Sequence, residues 1–329
     1  MLVTGATGLV GSHVTQQAAE LGLHVRALCR ETADTGHLQR WGADIVTGHL
    51  NDERALSAAC ANVDAVVHCA ARVGDWGPTS EYRKVNVEGT RRLIDAALKT
   101  GRLKRWVQIS SLGVYPATDH FGTDETTAPS TQGIDGYTLT KVESEQLVLD
   151  EHHQRQLPAV VLRPGFIYGP RDRTVLPRLM ERLRDNKFAY LGNTDKLMNN
   201  TFVGNLCEAI WQALSHEDAV GRVYNIRDPR AVTKREFIET ICEAAQLKTP
   251  TKVVPLHIAK ALSAIMETTW RLTRRKTAPL VNRARIKFLG LNLDFDISKA
   301  QSHLGYNPTT DFRQAMPATV QSFLQEDAA

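Results

Sequence analysis

Short apolar runs, each followed by a longer stretch of helical spacing, set the rhythm of this chain. Met1 to Thr4 reads as a strand, and a helical pattern runs on through Leu21. His24-Val25-Arg26-Ala27-Leu28-Cys29 predicts a second strand and Ala43 to Val46 a third. Asn51 to Ala61 predicts a helix, with Asn51 or Asp52 able to accept from the free N–H groups of its first turn. Ala65 to Ala71 is apolar without alternation, as a strand covered on both faces requires. A helix over 80–99, a strand at Arg105 to Ile109, a helical segment around 137–141 and a strand at Ala159 to Arg163 continue the series. This unbroken alternation predicts an α/β fold with a doubly wound parallel (Rossmann) sheet. Ligands of such sheets bind beyond the carboxyl ends of the strands.

Candidate chemistry gathers at those ends. Gly5-Ala6-Thr7-Gly8-Leu9-Val10-Gly11 lies between the first strand and the first helix. The first glycine permits a tight turn, the second lets a pyrophosphate approach the backbone, and the third lets the helix pack close. The helix N-terminus then offers N–H groups to phosphate. An NAD site usually has an acid at the end of the second strand, but Cys29 and Arg30 stand there. A guanidinium suits a 2′-phosphate, so the reading favours NADP; NAD stays open through Glu31 or Asp34. Small Ala70 and Ala71 would let a cofactor lie close, and His68 reads as a packed residue. Ser110 and Ser111 follow the strand that ends at Ile109. Tyr137 and Lys141 are one helical turn apart on one face. A nearby ammonium stabilises a phenolate and makes the tyrosine usable as acid or base.

The second half changes in character after Pro164 and Gly165, and helices dominate. At 329 residues, a prior of about 150 per domain suggests two units. They are read as a dinucleotide-binding part over 1–170, to which 200–228 returns, and a smaller, mainly helical substrate-binding part over 171–329. Thr174 to Asn186 reads as a basic helix. Arg171 and Arg173 either meet an anionic group such as a nucleotide phosphate or stand solvated, the plainer reading. From Leu256 to Lys276, Ile258, Leu262, Ile265, Met266 and Leu272 share one helical face, and Lys260, Glu267, Arg271 and Arg274 the other. A surface helix packed on the core is the favoured reading. The sharper one is an interfacial helix touching a lipid surface, with Trp270 and Arg274-Arg275-Lys276 at the headgroups.

Composition narrows the field little. Hydrophobic content of 42% and charged content of 23% are ordinary for a globular protein, and a net charge of +4, dispersed, demands no nucleic acid. Five cysteines without a C-x-x-C fit free thiols in a reducing cytoplasm. No run approaches transmembrane length, and no signal peptide precedes the first strand, so a cytoplasmic location is expected. His152-His153 lacks further ligands at useful spacing, so no metal site is expected.

Taken in order, Gly5-x-x-Gly8-x-x-Gly11, Ala70-Ala71, Asn86, Ser110-Ser111-Leu112-Gly113-Val114-Tyr115, Tyr137-x-x-x-Lys141 and Arg163-Pro164-Gly165-Phe166-Ile167-Tyr168-Gly169-Pro170 resemble the extended short-chain dehydrogenases/reductases. The likeness runs on to Leu304-Gly305-Tyr306-Asn307-Pro308. Val73-Gly74-Asp75-Trp76-Gly77-Pro78 and Tyr82-Arg83-Lys84-Val85-Asn86-Val87-Glu88-Gly89-Thr90 are most similar to the bacterial 3β-hydroxysteroid dehydrogenase-like branch of the NAD-dependent epimerase/dehydratase group. The 3-oxoalkanoate reductases of long-chain olefin synthesis are similar too.

The resemblance implies roles. Tyr137 would exchange a proton with the substrate oxygen, Lys141 would lower its pKa and hold the nicotinamide ribose, and Ser111 would bond the same oxygen, with Ser110 the competing assignment. Gly5, Thr7, Gly8, Leu9, Val10, Gly11, Arg30, His49, Leu50, Ala70, Ala71, Asn86 and Pro164 would join Tyr137 and Lys141 around the cofactor. Gly48-His49-Leu50 departs from the family's Gly-Asp-Leu at the adenine contact. The implied activity is NAD(P)-dependent hydride transfer between nicotinamide and a hydroxyl or ketone of an apolar, sterol-like or 3-oxoacyl substrate. A nucleotide-sugar epimerase or dehydratase and a non-catalytic cofactor-sensing regulator are the alternatives; Ser111, Tyr137 and Lys141 argue against the regulator. The resemblance also implies a homodimer formed by helices of the first part.

Overall fold

The computed structural model describes residues 1–329 apart from Gly133, Lys276 and Ala329. Seven strands make the central sheet, in the order Val223–Ile226, Ala159–Pro164, Arg105–Ile109, Ala65–His68, Leu2–Thr4, Arg26–Cys29, Asp44–Thr47. Every pairing between them is parallel. From Leu2–Thr4 the chain steps outward twice, then crosses back to Ala65–His68 on the other side. That reversal opens a crevice at the carboxyl ends of Leu2–Thr4 and Ala65–His68.

The apolar runs lack alternation because both faces of the sheet are covered. Val3, Val67, Val107, Val160 and Leu162 point into a core shared with the helices Leu9–Glu20 and Val203–Ser215. Their neighbours Leu2, Val66, Trp106, Ala159 and Val161 point into a second core with the helices Glu53–Cys60, Gly89–Leu98 and Gly136–Arg155. Asp52 caps Glu53–Cys60, accepting from Arg54 N and Ala55 N. The expected helix over 80–99 is broken into Thr79–Arg83, a π turn Lys84–Glu88 and Gly89–Leu98, and buried Asn86 sits in the π turn. The strand begun at Ala65 stops at His68, and the following residues leave along the crevice.

The helices Leu176–Arg184, Lys234–Ala244 and Phe312–Ala328 enclose a third core around Met180, Phe237, Ile241, Phe312 and Met316. Short pairings tie the later chain to the earlier one. Asn200–Phe202 runs beside Phe166–Tyr168, and Leu293–Phe295 beside His120–Thr123.

The helix Leu256–Leu272 does not pack through its apolar face. Ala259, Ser263 and Glu267 are the buried flank, and Ile258, Leu262, Ile265 and Leu272 stand exposed. The Glu267 carboxylate fastens that flank by accepting from Arg283 N and Arg283 Nε. The chain turns at Arg274, with φ of 50°, and Lys276 of the expected basic cluster lies outside the described residues.

Candidate active site

The glycine turn is built by contact. Gly5 has φ of 66°, and a Cβ there would stand 2.8 Å from Ala70 N. A Cβ at Gly11 would stand 2.3 Å from Gly5 O, so only glycine lets the helix lie on the turn. Gly8 heads the helix Leu9–Glu20 without a side-chain cap, and no acid occupies the first turn. These uncapped N–H groups carry the positive end of the helix dipole at the crevice. A dinucleotide's pyrophosphate fits them: the cradle is narrow, made of backbone and free of negative charge. Thr7 and Leu9 are half-buried on this turn, whereas the Val10 side chain is spent in the core.

A buried relay holds the crevice floor. Thr4 Oγ1 meets His68 Nδ1 at 2.6 Å and accepts from Ala70 N. His68 Nε2 meets Thr90 Oγ1 at 3.0 Å, and Thr90 donates to Asn86 O. Burial drives the His68 pKa down to about 3, with the charge of Lys141 adding, so the ring is a neutral strut. Asn86 accepts from Arg72 N at 2.7 Å and donates to Arg72 O and to Thr140 Oγ1. Its amide thus ties the stretch carrying Ala70 and Ala71 to the helix carrying Tyr137.

The two serines separate clearly. Ser110 Oγ donates to Glu145 Oε2 at 2.5 Å. Glu145 is a buried ion-pair partner of Arg163, which also donates to the Tyr115 hydroxyl at 2.7 Å. Ser110 is therefore committed to a closed network. Ser111 Oγ accepts from Gly113 N at 2.9 Å and lies near enough to Tyr137 to act on its pKa.

Tyr137 lies in the first turn of Gly136–Arg155. Asp135 caps that helix, accepting from Thr138 N at 2.7 Å. Gly136 lets the helix start against the Tyr82 ring, where a Cβ would come within 2.7 Å of Cδ2. One turn on, Lys141 Nζ donates to Ile109 O at the end of the sheet strand. The net shift of the phenol's pKa is upward, not the lowering expected from this ammonium. Burial pushes Tyr137 up to about 12, the Asp135 charge adds to the rise, and the neighbouring Ser111 side chain opposes it. Burial also draws Lys141 down to about 8, against the opposing charges of Glu145 and Cys69. The i, i+4 spacing fixes a shared face but not how dry that face is. At neutral pH the pair is thus a phenol that donates and an amine still mostly charged.

The remaining expected residues spread along the same carboxyl edge. Pro164 ends its strand and is buried. Arg30 is exposed just past Arg26–Cys29, and among the described residues it makes no ion pair. His49 is exposed, its Nδ1 accepting from Asn51 N at 3.2 Å. Leu50 is buried against Gly89. Arg171 donates to Gln16 Oε1 and lies 5.1 Å from the Trp41 ring centroid, so it braces the first helix. Sequence reasoning passed over Asp135, although an aspartate just before a helix is a legible cap. It also missed Lys287, whose Nζ donates to Gly113 O at 2.7 Å and Tyr115 O at 2.6 Å and so grips the Ser111 turn from 172 or more residues away. No local pattern announces such a contact. Among the described residues no group of three or more His, Cys, Asp or Glu is placed to hold a metal, and no helix is long and apolar enough to cross a membrane.

Comparison with known proteins agrees with this fold. The profile of the NAD dependent epimerase/dehydratase family matches residues 1–226. The chain is 29% identical over 326 residues to a 2-alkyl-3-oxoalkanoate reductase of Shewanella oneidensis, covering 95% of this chain and 84% of that protein. It is 30% identical to a 3-beta-hydroxysteroid dehydrogenase of Mycolicibacterium neoaurum, covering 96% of this chain and 89% of that protein. Among solved structures, gox2253 superimposes with a TM-score of 0.83 at 28% identity, over 99% of this chain and 98% of the other.

Proposed function

This chain belongs to the NAD dependent epimerase/dehydratase family, and from that premise we propose that it is an NAD(P)-dependent oxidoreductase reducing a ketone on an apolar, 3-oxoacyl or sterol-like, substrate. The observation that carries the reading is the placing of Ser111, at the end of a sheet strand, beside a phenol kept protonated at neutral pH. The relatives act, by their names, on a 2-alkyl-3-oxoalkanoate and a 3-beta-hydroxysteroid. Bound nicotinamide supplies the hydride. Ser111 and Tyr137 receive the substrate oxygen as donors and stabilise the charge that builds on it. Tyr137 then gives its proton to that oxygen. The phenolate left behind is stabilised by the Lys141 ammonium one turn away until it regains a proton from solvent.

The test is loss of reduced-nicotinamide absorbance against 3-oxoacyl, steroid and nucleotide-sugar panels. Turnover of a ketone is expected, and Tyr137→Phe should lower kcat by about 10²–10⁴-fold with cofactor binding intact. Unchanged turnover in that variant removes the assignment. The second reading, a nucleotide-sugar epimerase, draws on the family's name.

NADP is the finer cofactor reading, supported by exposed Arg30 just past the second strand, whose last residue is Cys29 and not an acid. Arg30→Ala should raise KM for NADPH by about tenfold and leave NADH unchanged. An NADH preference indifferent to Arg30 overturns it. The dinucleotide part is proposed to be 1–170 with 200–228, and the substrate part 171–329. A homodimer through Gly89–Leu98 and Gly136–Arg155 belongs to the same proposal; Arg91–Glu151 and Asp95–Arg155 pairs hold these helices side by side. Peripheral membrane contact through 256–276 suits substrates that partition into lipid.

A further inference from the structure

One apolar surface lies outside every core. On the helix Leu256–Leu272, Ile258, Leu262, Ile265 and Leu272 are 43%, 44%, 64% and 79% exposed. Their spacing puts them along one side of a rod roughly 26 Å long. The flank that meets the protein is instead made of Ala259, Ser263 and Glu267.

The exposed charges of this helix and its carboxyl end, on the side away from that face, have one sign. Lys260, Arg271, Arg274 and Arg275 are exposed. The helix's single acid, Glu267, is buried and paired with Arg271 and Arg283. A helix apolar along one side whose polar side and carboxyl end expose only cations has the make-up of an interfacial helix on an anionic bilayer, which offers acyl chains under a layer of phosphates.

The same helix is wired to the candidate active site. Trp76 Nε1 donates to Arg275 O at 3.0 Å, and the Arg271 guanidinium lies 5.9 Å from the Trp76 ring centroid. Tyr82 donates to Trp76 O at 2.8 Å, and its ring packs on Gly136, the residue before Tyr137. Asp75, in the same loop, is paired with Arg285. The loop 73–78 therefore joins the exposed helix to the start of the Tyr137 helix.

We propose that the Ile258–Leu272 face seats on an anionic lipid bilayer, and that the Trp76 loop it holds sets the site's mouth against that surface so that apolar substrate passes in from the lipid. This rests on the apolar-ketone reading for its substrate but not for its lipid contact. The experiment is flotation of the full chain with phosphatidylcholine vesicles with and without phosphatidylglycerol. The chain is expected to float with the anionic vesicles, less so as salt rises, and not with phosphatidylcholine alone. The double variant Ile265→Glu/Leu272→Glu should stay in solution. Its kcat/KM for a short, water-soluble ketone should match the wild type, and that for a long-chain ketone carried in anionic vesicles should fall about tenfold or more.

No flotation of the wild type, or flotation unchanged in the double variant, overturns the lipid surface. Light scattering that finds a wild-type oligomer broken to monomers by the double variant overturns it too, by giving the face to a second copy of the chain. Flotation with no turnover of any ketone overturns the route for substrate and places the failure in the catalytic reading.

Discussion

Burial pushes Tyr137 and Lys141 each toward the neutral form, and that sets the pH range in which each can act. A phenol near 12 is a donor throughout the neutral range, which suits delivery of a proton to a forming alcohol. In the proposed mechanism the Lys141 ammonium helps only while charged, below about 8. Reductive kcat/KM should therefore be flat from pH 6 to about 8 and fall above it, and Lys141→Met should remove that fall while lowering the plateau. A pH–rate profile flat beyond pH 9 in the wild type would contradict the assignment. The adjacent serines give a second test of side-chain direction. On the proposed assignment Ser111→Ala removes a donor to the developing oxyanion, and it should lower kcat by about 10²-fold or more. Ser110→Ala instead strips one partner from buried Glu145, and should cost about 1–3 kcal/mol of stability with kcat nearly unchanged. Denaturant melts beside steady-state kinetics separate the two.

Elements carry a different lesson, clearest at the glycine turn. A Cβ at Gly11 would strike the Gly5 carbonyl at 2.3 Å, a backbone atom that cannot yield without moving the strand. Gly11→Ala should destabilise by about 1–3 kcal/mol and weaken cofactor binding together. At Gly8 the same atom would be 3.2 Å away, so Gly8→Ala should melt close to the wild type yet bind nicotinamide dinucleotide more weakly. Differential scanning fluorimetry with and without cofactor reads both effects. The sheet and this turn were legible because long apolar runs and glycine spacing are local signals. The π turn at Lys84–Glu88 was not, since periodicity does not register the bonds Asn86 makes to Arg72 and Thr140. The choice between Ser110 and Ser111 was equally hidden, because it depends on Glu145, 35 residues on. Leu256–Leu272 was legible as an amphipathic helix, but its inward flank was not: a carboxylate there found Arg283, and that pairing outbid the apolar face for the protein side.

At the scale of the whole molecule, three buried ammoniums pin late segments to early ones through backbone carbonyls. Lys141 donates to Ile109 O, Lys234 to Phe288 O and Lys287 to Gly113 O and Tyr115 O. Burial lowers them to about 8, about 7 and about 8 respectively. In the unfolded chain each would keep its proton up to the ordinary lysine range near 10.5. Between about 7 and 10 the unfolded state thus binds more protons than the folded one, so stability from these groups rises with pH. The opposite sign comes from groups whose pKa burial raises. Cys29 and Cys242 stand at about 11, Cys60 and Cys69 at about 12, and Tyr137, Tyr190 and Tyr224 at about 12. Above about 9 their unfolded counterparts ionise first and draw the chain open. The melting temperature should therefore climb from pH 7, peak near pH 9 and fall by pH 10, a more alkaline optimum than the usual range of about pH 5–8. Lys287→Met should flatten the climb without moving the alkaline fall. Calorimetry across that range checks both, and a wild-type melting temperature that declines steadily from pH 7 would mean these ammoniums are far better solvated than their carbonyl contacts imply.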